Sequence, residues 1–170
     1  MPRYSPEYTA FVRDRFLKRN SGPEGIMHAA IGILGEVVEL IYADSRANRI
    51  EELGDIEFYL EAFYQVLEPA PIRIFTPFNN CEGFLIYAGQ LHDLAKKVWV
   101  YNKPIDPEKF HSFLDCISQA VIIHCEINGV TRDQVIAENV TKLLKRYPTG
   151  YTDALAQARM DKNGGEDIPL

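Results

Sequence analysis

The sequence predicts an all-α helical bundle, and three observations carry that prediction. Helix start signals recur from end to end, apolar residues repeat at steps of three and four, and alternating Val/Ile/Thr strands between Asn-Gly turns are nearly absent. With 170 residues, 46% of them hydrophobic, the chain can bury one core without disulfides or metal staples. The expected architecture is a four-helix core with added N- and C-terminal helices, in a single domain over 1–160 with a flexible tail over 161–170.

Ser5 with Pro6 and Glu7 opens a first short helix toward Asn20, because Ser caps well and Pro is tolerated at the first helical position. Ser21-Gly22-Pro23 breaks it. From about Glu24 to Ala43 the residues Met27, Ile31, Leu34, Val38 and Ile41 form one apolar stripe of an amphipathic second helix. The third, about Arg46 to Glu68, repeats the pattern with Leu53, Ile56, Leu60, Phe63 and Leu67. Pro69, Pro71 and Pro77 make Glu68 to Asn79 the one long connection, since each lacks an amide donor and clashes with the preceding turn. A fourth helix, about Asn80 to Tyr101, carries Leu85, Leu91, Leu94 and Val98. Asp106-Pro107-Glu108 starts a fifth that reaches Ile127, where Asn128-Gly129 stops it. Thr131 and Gln134 make a capping box for a sixth helix to about Arg146. Tyr147-Pro148-Thr149-Gly150 ends that helix, a short turn follows from Thr152, and the Gly164-Gly165 tail is expected to fray.

Eighteen Lys+Arg against 24 Asp+Glu give a net charge of −6, which argues against a nucleic-acid-coating surface while leaving room for a small anion held through cations. No apolar run of about 20 residues and no secretory leader are read in the chain, so neither a membrane nor polymeric nucleic acid is an expected partner. Cys81, Cys116 and Cys125 are odd in number and form no CxxC, which points to reduced, buried thiols in a cytoplasmic compartment.

Glu36 and Glu39 lie three apart on the second helix, and Glu52 and Asp55 lie three apart on the third. Residues at that spacing share a helical face. The short connection makes the two helices antiparallel neighbours, so four carboxylates face one seam. Their mutual repulsion would destabilise the fold and raise some pKa values unless cations sit among them, and oxygen-only ligation suits Mg²⁺ or Mn²⁺. An ordinary solvated acidic face is the competing reading. Gly32 and Gly35 weigh against it, because they thin the second helix beside the quartet at a cost of about 1 kcal/mol each.

Gly35-Glu36-Val37-Val38-Glu39-Leu40 followed by Glu52-Leu53-Gly54-Asp55-Ile56 resembles the ExxE, then ExxD, signature of the MazG-like all-α nucleoside triphosphate pyrophosphohydrolases. The run from Asn139 to Gly150 is similar to the segment that closes many members of that superfamily, and the two matches bracket roughly 26 to 150. The resemblance implies cleavage of a (deoxy)nucleoside triphosphate to the monophosphate and pyrophosphate. Glu36, Glu39, Glu52 and Asp55 would hold two or three Mg²⁺ or Mn²⁺ ions, and Glu36 or Glu39 would take the proton of the attacking water. Asn139, Lys142 and Arg146 are singled out as substrate contacts, the two cations one helical turn apart. A homodimer or homotetramer is also implied. Base choice stays open, with dGTP the first candidate. A non-catalytic helical assembly module and a phosphoribosyl-nucleotide pyrophosphohydrolase are the alternatives.

The fourth and fifth helices read as a worn copy of the second and third, giving repeats over about 24–68 and 80–128. Gln90 and Asp93 stand where Glu36 and Glu39 do, and Ser112 and Asp115 where Glu52 and Asp55 do, so a single metal site in the first half is expected. Lys96 and Lys97 are further candidate contacts for substrate phosphates, with Trp99 and Tyr101 near a base. The four histidines form no Glu-x-x-His pair, which disfavours a di-iron bundle, and no P-loop, dinucleotide-binding or nucleophile-elbow motif occurs.

Overall fold

A computed structural model describes residues 3–17, 20–67 and 81–147, all helical or in short connections with no strand among them. The helices are α1 (Pro6–Val12), α2 (Gly22–Tyr42), α3 (Arg46–Val66), α4 (Cys81–Tyr101), α5 (Pro107–Ile127) and α6 (Arg132–Arg146), with a π-helical turn over Arg13–Leu17. Helix α2 packs on α3 and α4, and α5 closes the ring by packing on α4 and α3. This is the expected four-helix core. Helix α6 lies along α3 with a smaller contact to α5, and α1 with the π-turn also rests on α3. The Pro-rich connection, the turn from Thr152 and the 161–170 tail fall outside the described residues.

The capping chemistry operates as read. Ser5 Oγ accepts from the Tyr8 amide at 3.2 Å, and Asp106 Oδ1 accepts from the Lys109 amide at 3.1 Å. Thr131 and Gln134 close the reciprocal capping box at 3.2 and 2.8 Å. Gly129 ends the α5 turn at φ +64°, a left-handed conformation that costs glycine little. The first helix departs from expectation: its α-helical part ends at Val12, and the wider π-turn carries the chain from Arg13 to Leu17.

Helix α3 buries the predicted Leu53, Ile56, Leu60 and Phe63. Helix α2 does not bury its predicted stripe. Its buried face is Ile26, Ala29, Ala30, Ile33, Val37 and Leu40, whereas Ile31 is 51% and Val38 37% exposed, Ile41 is also exposed and Leu34 is half-buried. Of the predicted residues only Met27 is buried. The two stripes are offset by about one residue and both repeat at helical spacing, so periodicity alone could not choose between them. Such a helix is apolar on most sides. By length and composition it is apolar enough to cross a membrane, with mean hydropathy 1.5 over an 18-residue window that is 44% buried here, and Glu36 and Glu39 interrupt that window. On α4 the buried face is offset in the same way on a smaller scale. Phe84, Ala88, Leu91, Ala95 and Val98 are buried, while Leu85 is exposed and Leu94 half-buried, because the small alanines hold core positions.

Two buried ionic clusters fasten the N-terminal segment to the bundle. Tyr4 donates its hydroxyl to Glu57 at 2.6 Å, and Arg132 grips the same carboxylate with Nε and Nη2 at 2.5 and 2.7 Å while lying 4.5 Å over the Tyr4 ring. Arg3 pairs with Asp115 at 2.8 Å, and Tyr64 donates to that carboxylate at 3.1 Å. Glu57 and Asp115 look like surface residues of amphipathic helices, and sequence reasoning assigned neither a buried role.

Candidate metal centre and its cleft

Antiparallel packing of α2 and α3 sets the register of the site. Position 32 meets 59, Glu36 lies beside Asp55 and Glu52, and Glu39 lies near Glu52, so positions rise on one helix as they fall on the other. Gly32 explains how close the helices come. A Cβ built there would sit 2.6 Å from the Tyr59 ring, so the ring occupies the space that any side chain would need. Gly35 has no such neighbour, and the expectation that it also permits a close approach is corrected. Gly32→Ala is therefore expected to push Tyr59 aside and cost about 1–3 kcal/mol. Gly35→Ala should be neutral or stabilising by up to about 1 kcal/mol. Urea unfolding of both variants checks the contrast.

Glu36, Glu39 and Glu52 each offer an oxygen lying within 4.8 Å of the others. Burial first, then Asp55, Glu39 and Glu52, pushes the Glu36 carboxyl up to about 9. Burial, with Glu39 and Asp55, lifts Glu52 to about 7. Glu36 and Glu52 also share a hydrogen bond, which requires a proton between them when no cation is present. This is the repulsion anticipated from the sequence.

Asp55, the fourth member, stands beside this trio and is oriented from behind. Asn139 Nδ2 donates to Asp55 Oδ1 at 2.6 Å, and Lys142 Nζ donates to Asp55 Oδ2 and to Glu51 Oε1. Gly54 makes this possible, since a Cβ there would lie 2.8 Å from the Asn139 Cβ and would lift α6 away. The structure places two of the expected substrate contacts behind Asp55: Asn139 is buried and Lys142 nearly so, and both hold that carboxylate. Lys96 and Lys97 are not brought to the site. Both pair with Asp93 on the exposed face of α4, at 2.9 and 2.7 Å, because spacings of three and four put them on its face. Trp99 and Tyr101 are likewise exposed on α4 and do not line the cleft.

The repeat does not reproduce the trio. Asp115 is engaged by Arg3 and Tyr64, Ser112 donates to the Lys109 carbonyl at 2.7 Å, and Gln90 and Asp93 line a shallow depression with Lys97 and Lys109.

Beside the carboxylates opens a cleft of about 420 Å³ whose lining includes Glu36 and Asp55 at one end. Phe16, His28, Phe58 and Tyr59 form an aromatic wall, with Phe16 4.9 Å from His28 and at right angles to Tyr59. Arg146 lines the cleft, joined by Arg15 and Tyr147. Of these, sequence reasoning selected only Arg146. A usable signal was present: Tyr59 is one helical turn past Asp55, and His28 is two turns before Glu36 on the same row as Gly32. Comparison with protein-family models, curated proteins and solved structures gave no match.

Proposed function

We propose that the chain is a divalent-metal-dependent nucleotide pyrophosphohydrolase of the MazG-like type, converting a (deoxy)nucleoside triphosphate to the monophosphate and pyrophosphate. One observation carries the reading: of three converging carboxylates Glu36 also lines, together with Asp55, a cleft whose walls carry aromatic side chains and arginines. The donor set is all oxygen, and its members repel one another strongly enough to retain protons, so it fits a hard cation such as Mg²⁺ or Mn²⁺. Glu36, Glu39, Glu52 and Asp55 would hold the ions. When bound, such ions polarise phosphoryl oxygens and acidify a coordinated water.

The remaining work belongs to the chain. Glu36 or Glu39 accepts the proton of the attacking water. Lys142 and Asn139 fix the Asp55 carboxylate so that it need not reorganise. Arg146 offsets charge on the phosphate tail. The aromatic wall packs against the base. Glu36 and His28 are two turns apart on α2, about 12 Å at 1.5 Å per residue, which is the scale of a nucleoside with its first phosphate.

The test is a nucleotide panel with Mg²⁺ or Mn²⁺, with pyrophosphate and phosphate both quantified. Pyrophosphate should appear in equal amount to the monophosphate, and Glu39→Gln should slow its release by about 100-fold or more. Release of single phosphates, or full activity in the variant, would count against the reading. Assembly into a homodimer or homotetramer belongs to the same proposal. Its support is the second apolar face of α2, where Ile31, Val38 and Ile41 stand exposed on a helix apolar nearly all round, the kind that is ordinarily covered. A second copy of the chain is the occupant proposed, and the mass in solution tests it.

A further inference from the structure

Arg15 is the least satisfied cation of the cleft. Its Nε is fully buried with no hydrogen-bond partner among the described residues, and the side chain is only 11% exposed. Its other contacts are long: Nη1 reaches the Phe11 carbonyl at 3.5 Å, and the Asp14 carboxylate lies 3.9 Å away. The guanidinium plane is nevertheless fixed, stacked 3.8 Å over the Phe11 ring. A buried donor without a partner costs about 1–3 kcal/mol, and because the Nε is closed to solvent, a ligand acceptor in the cleft that Arg15 lines would meet the guanidinium at its Nη edge. Burial outweighs the pull of Asp14 and lowers the pKa of the group, the mark of a charge short of compensation.

The position of Arg15 decides what that acceptor is. It is carried on the π-helical turn next to Phe16, which packs on His28 two helical turns from Glu36, so it stands at the aromatic end of the cleft and away from the carboxylates. π-turns recur at functional sites, where the extra residue re-aims side chains. Arg146, on α6 one turn beyond Lys142, serves the phosphate end. A second group at the base end completes the reading. Asn20 Nδ2 donates to the Phe16 carbonyl at 3.0 Å, so its Oδ1 is the atom that faces His28 Nδ1 at 2.7 Å. His28 Nδ1 therefore carries the hydrogen, and Nε2 of the neutral ring is left as an acceptor.

We propose that Arg15 is the specificity-determining residue of this cleft, reading the acceptor edge of the substrate base, and that guanine is the base it fits. A guanidinium fork matches the adjacent O6 and N7 acceptors of guanine, whereas adenine replaces O6 with an amino donor. The His28 acceptor complements the N1–H and amino donors that guanine carries beside O6. A pyrimidine offers no N7. This inference rests on the proposed nucleotide hydrolysis and names its substrate class.

The experiment measures kcat/KM for dGTP, dATP, dCTP and dTTP with Mn²⁺ in the wild type, Arg15→Ala and Arg15→Lys, alongside calorimetric titrations with dGMP and dAMP. The wild type should prefer the guanine nucleotides in both assays. Arg15→Ala should lower the dGTP-to-dATP ratio by about 10- to 100-fold, and Arg15→Lys should not restore it, because a point charge cannot replace the fork. Turnover with a flat base preference, or a loss shared equally by all four nucleotides, overturns the role of Arg15 and leaves the hydrolase reading standing. Failure of the wild type to cleave any nucleotide overturns both.

Discussion

Glu36→Gln is expected to raise the melting temperature of the metal-free protein at pH 8 while abolishing its response to divalent cations. Glu36 ionises near 4.5 when unconstrained and at about 9 in the fold, because burial and three neighbouring carboxylates oppose its charge. Between those values the folded protein binds more protons than the unfolded chain, so stability falls as pH rises. The contribution is fully present below about pH 4.5 and is lost by the time pH passes 9. Glutamine keeps the volume and the hydrogen bonding without the ionisation. At pH 8 the gain is on the order of a few kcal/mol, or about 5–10 °C for a domain of this size. Wild type should also melt lower at pH 8 than at pH 5, and Mn²⁺ should restore part of the loss by binding the folded state. A wild-type melting temperature indifferent to pH, or a variant no more stable than wild type, would contradict the described crowding of charge.

Arg132→Ala should produce the largest loss of stability. Glu57 is wholly buried, and Arg132 supplies two of its hydrogen bonds along with the opposite charge. Removing one partner of a buried ion pair strands the other, at a cost of about 3–5 kcal/mol. The Tyr4 hydroxyl would remain as a single donor to a charge it cannot neutralise. Arg132→Ala combined with Glu57→Gln should recover part of the loss, because an amide is cheaper to bury than an unpaired carboxylate. Urea denaturation of the single and double variants reads both effects. A single variant within about 1 kcal/mol of wild type would mean that Glu57 reaches water.

The bundle was legible because its signals are local. Ser5, Asp106 and the Thr131/Gln134 box each specify a helix start from side chains within one turn. The face of α2 was not legible, because two apolar stripes compete on one helix and only the partners decide which is buried. The acidic trio was readable from the i, i+3 spacing on two adjoining helices. The roles of Lys142 and Asn139 were not, since they depend on how closely α6 approaches Gly54, a contact between segments more than 80 residues apart. The cleft wall combines the π-turn, α2, α3 and α6, and only the helical rows through Glu36 and Asp55 marked part of it in advance.

The central claim is that side chains on α2 and α3 together chelate a divalent ion, and titrating metal-free protein with Mn²⁺ while following the free ion by electron paramagnetic resonance tests it most directly. Wild type should show saturable binding, and Glu39→Gln/Glu52→Gln, verified as folded by circular dichroism, should leave the ion free. Unbound Mn²⁺ in wild type, or equal binding by the double variant, would contradict it.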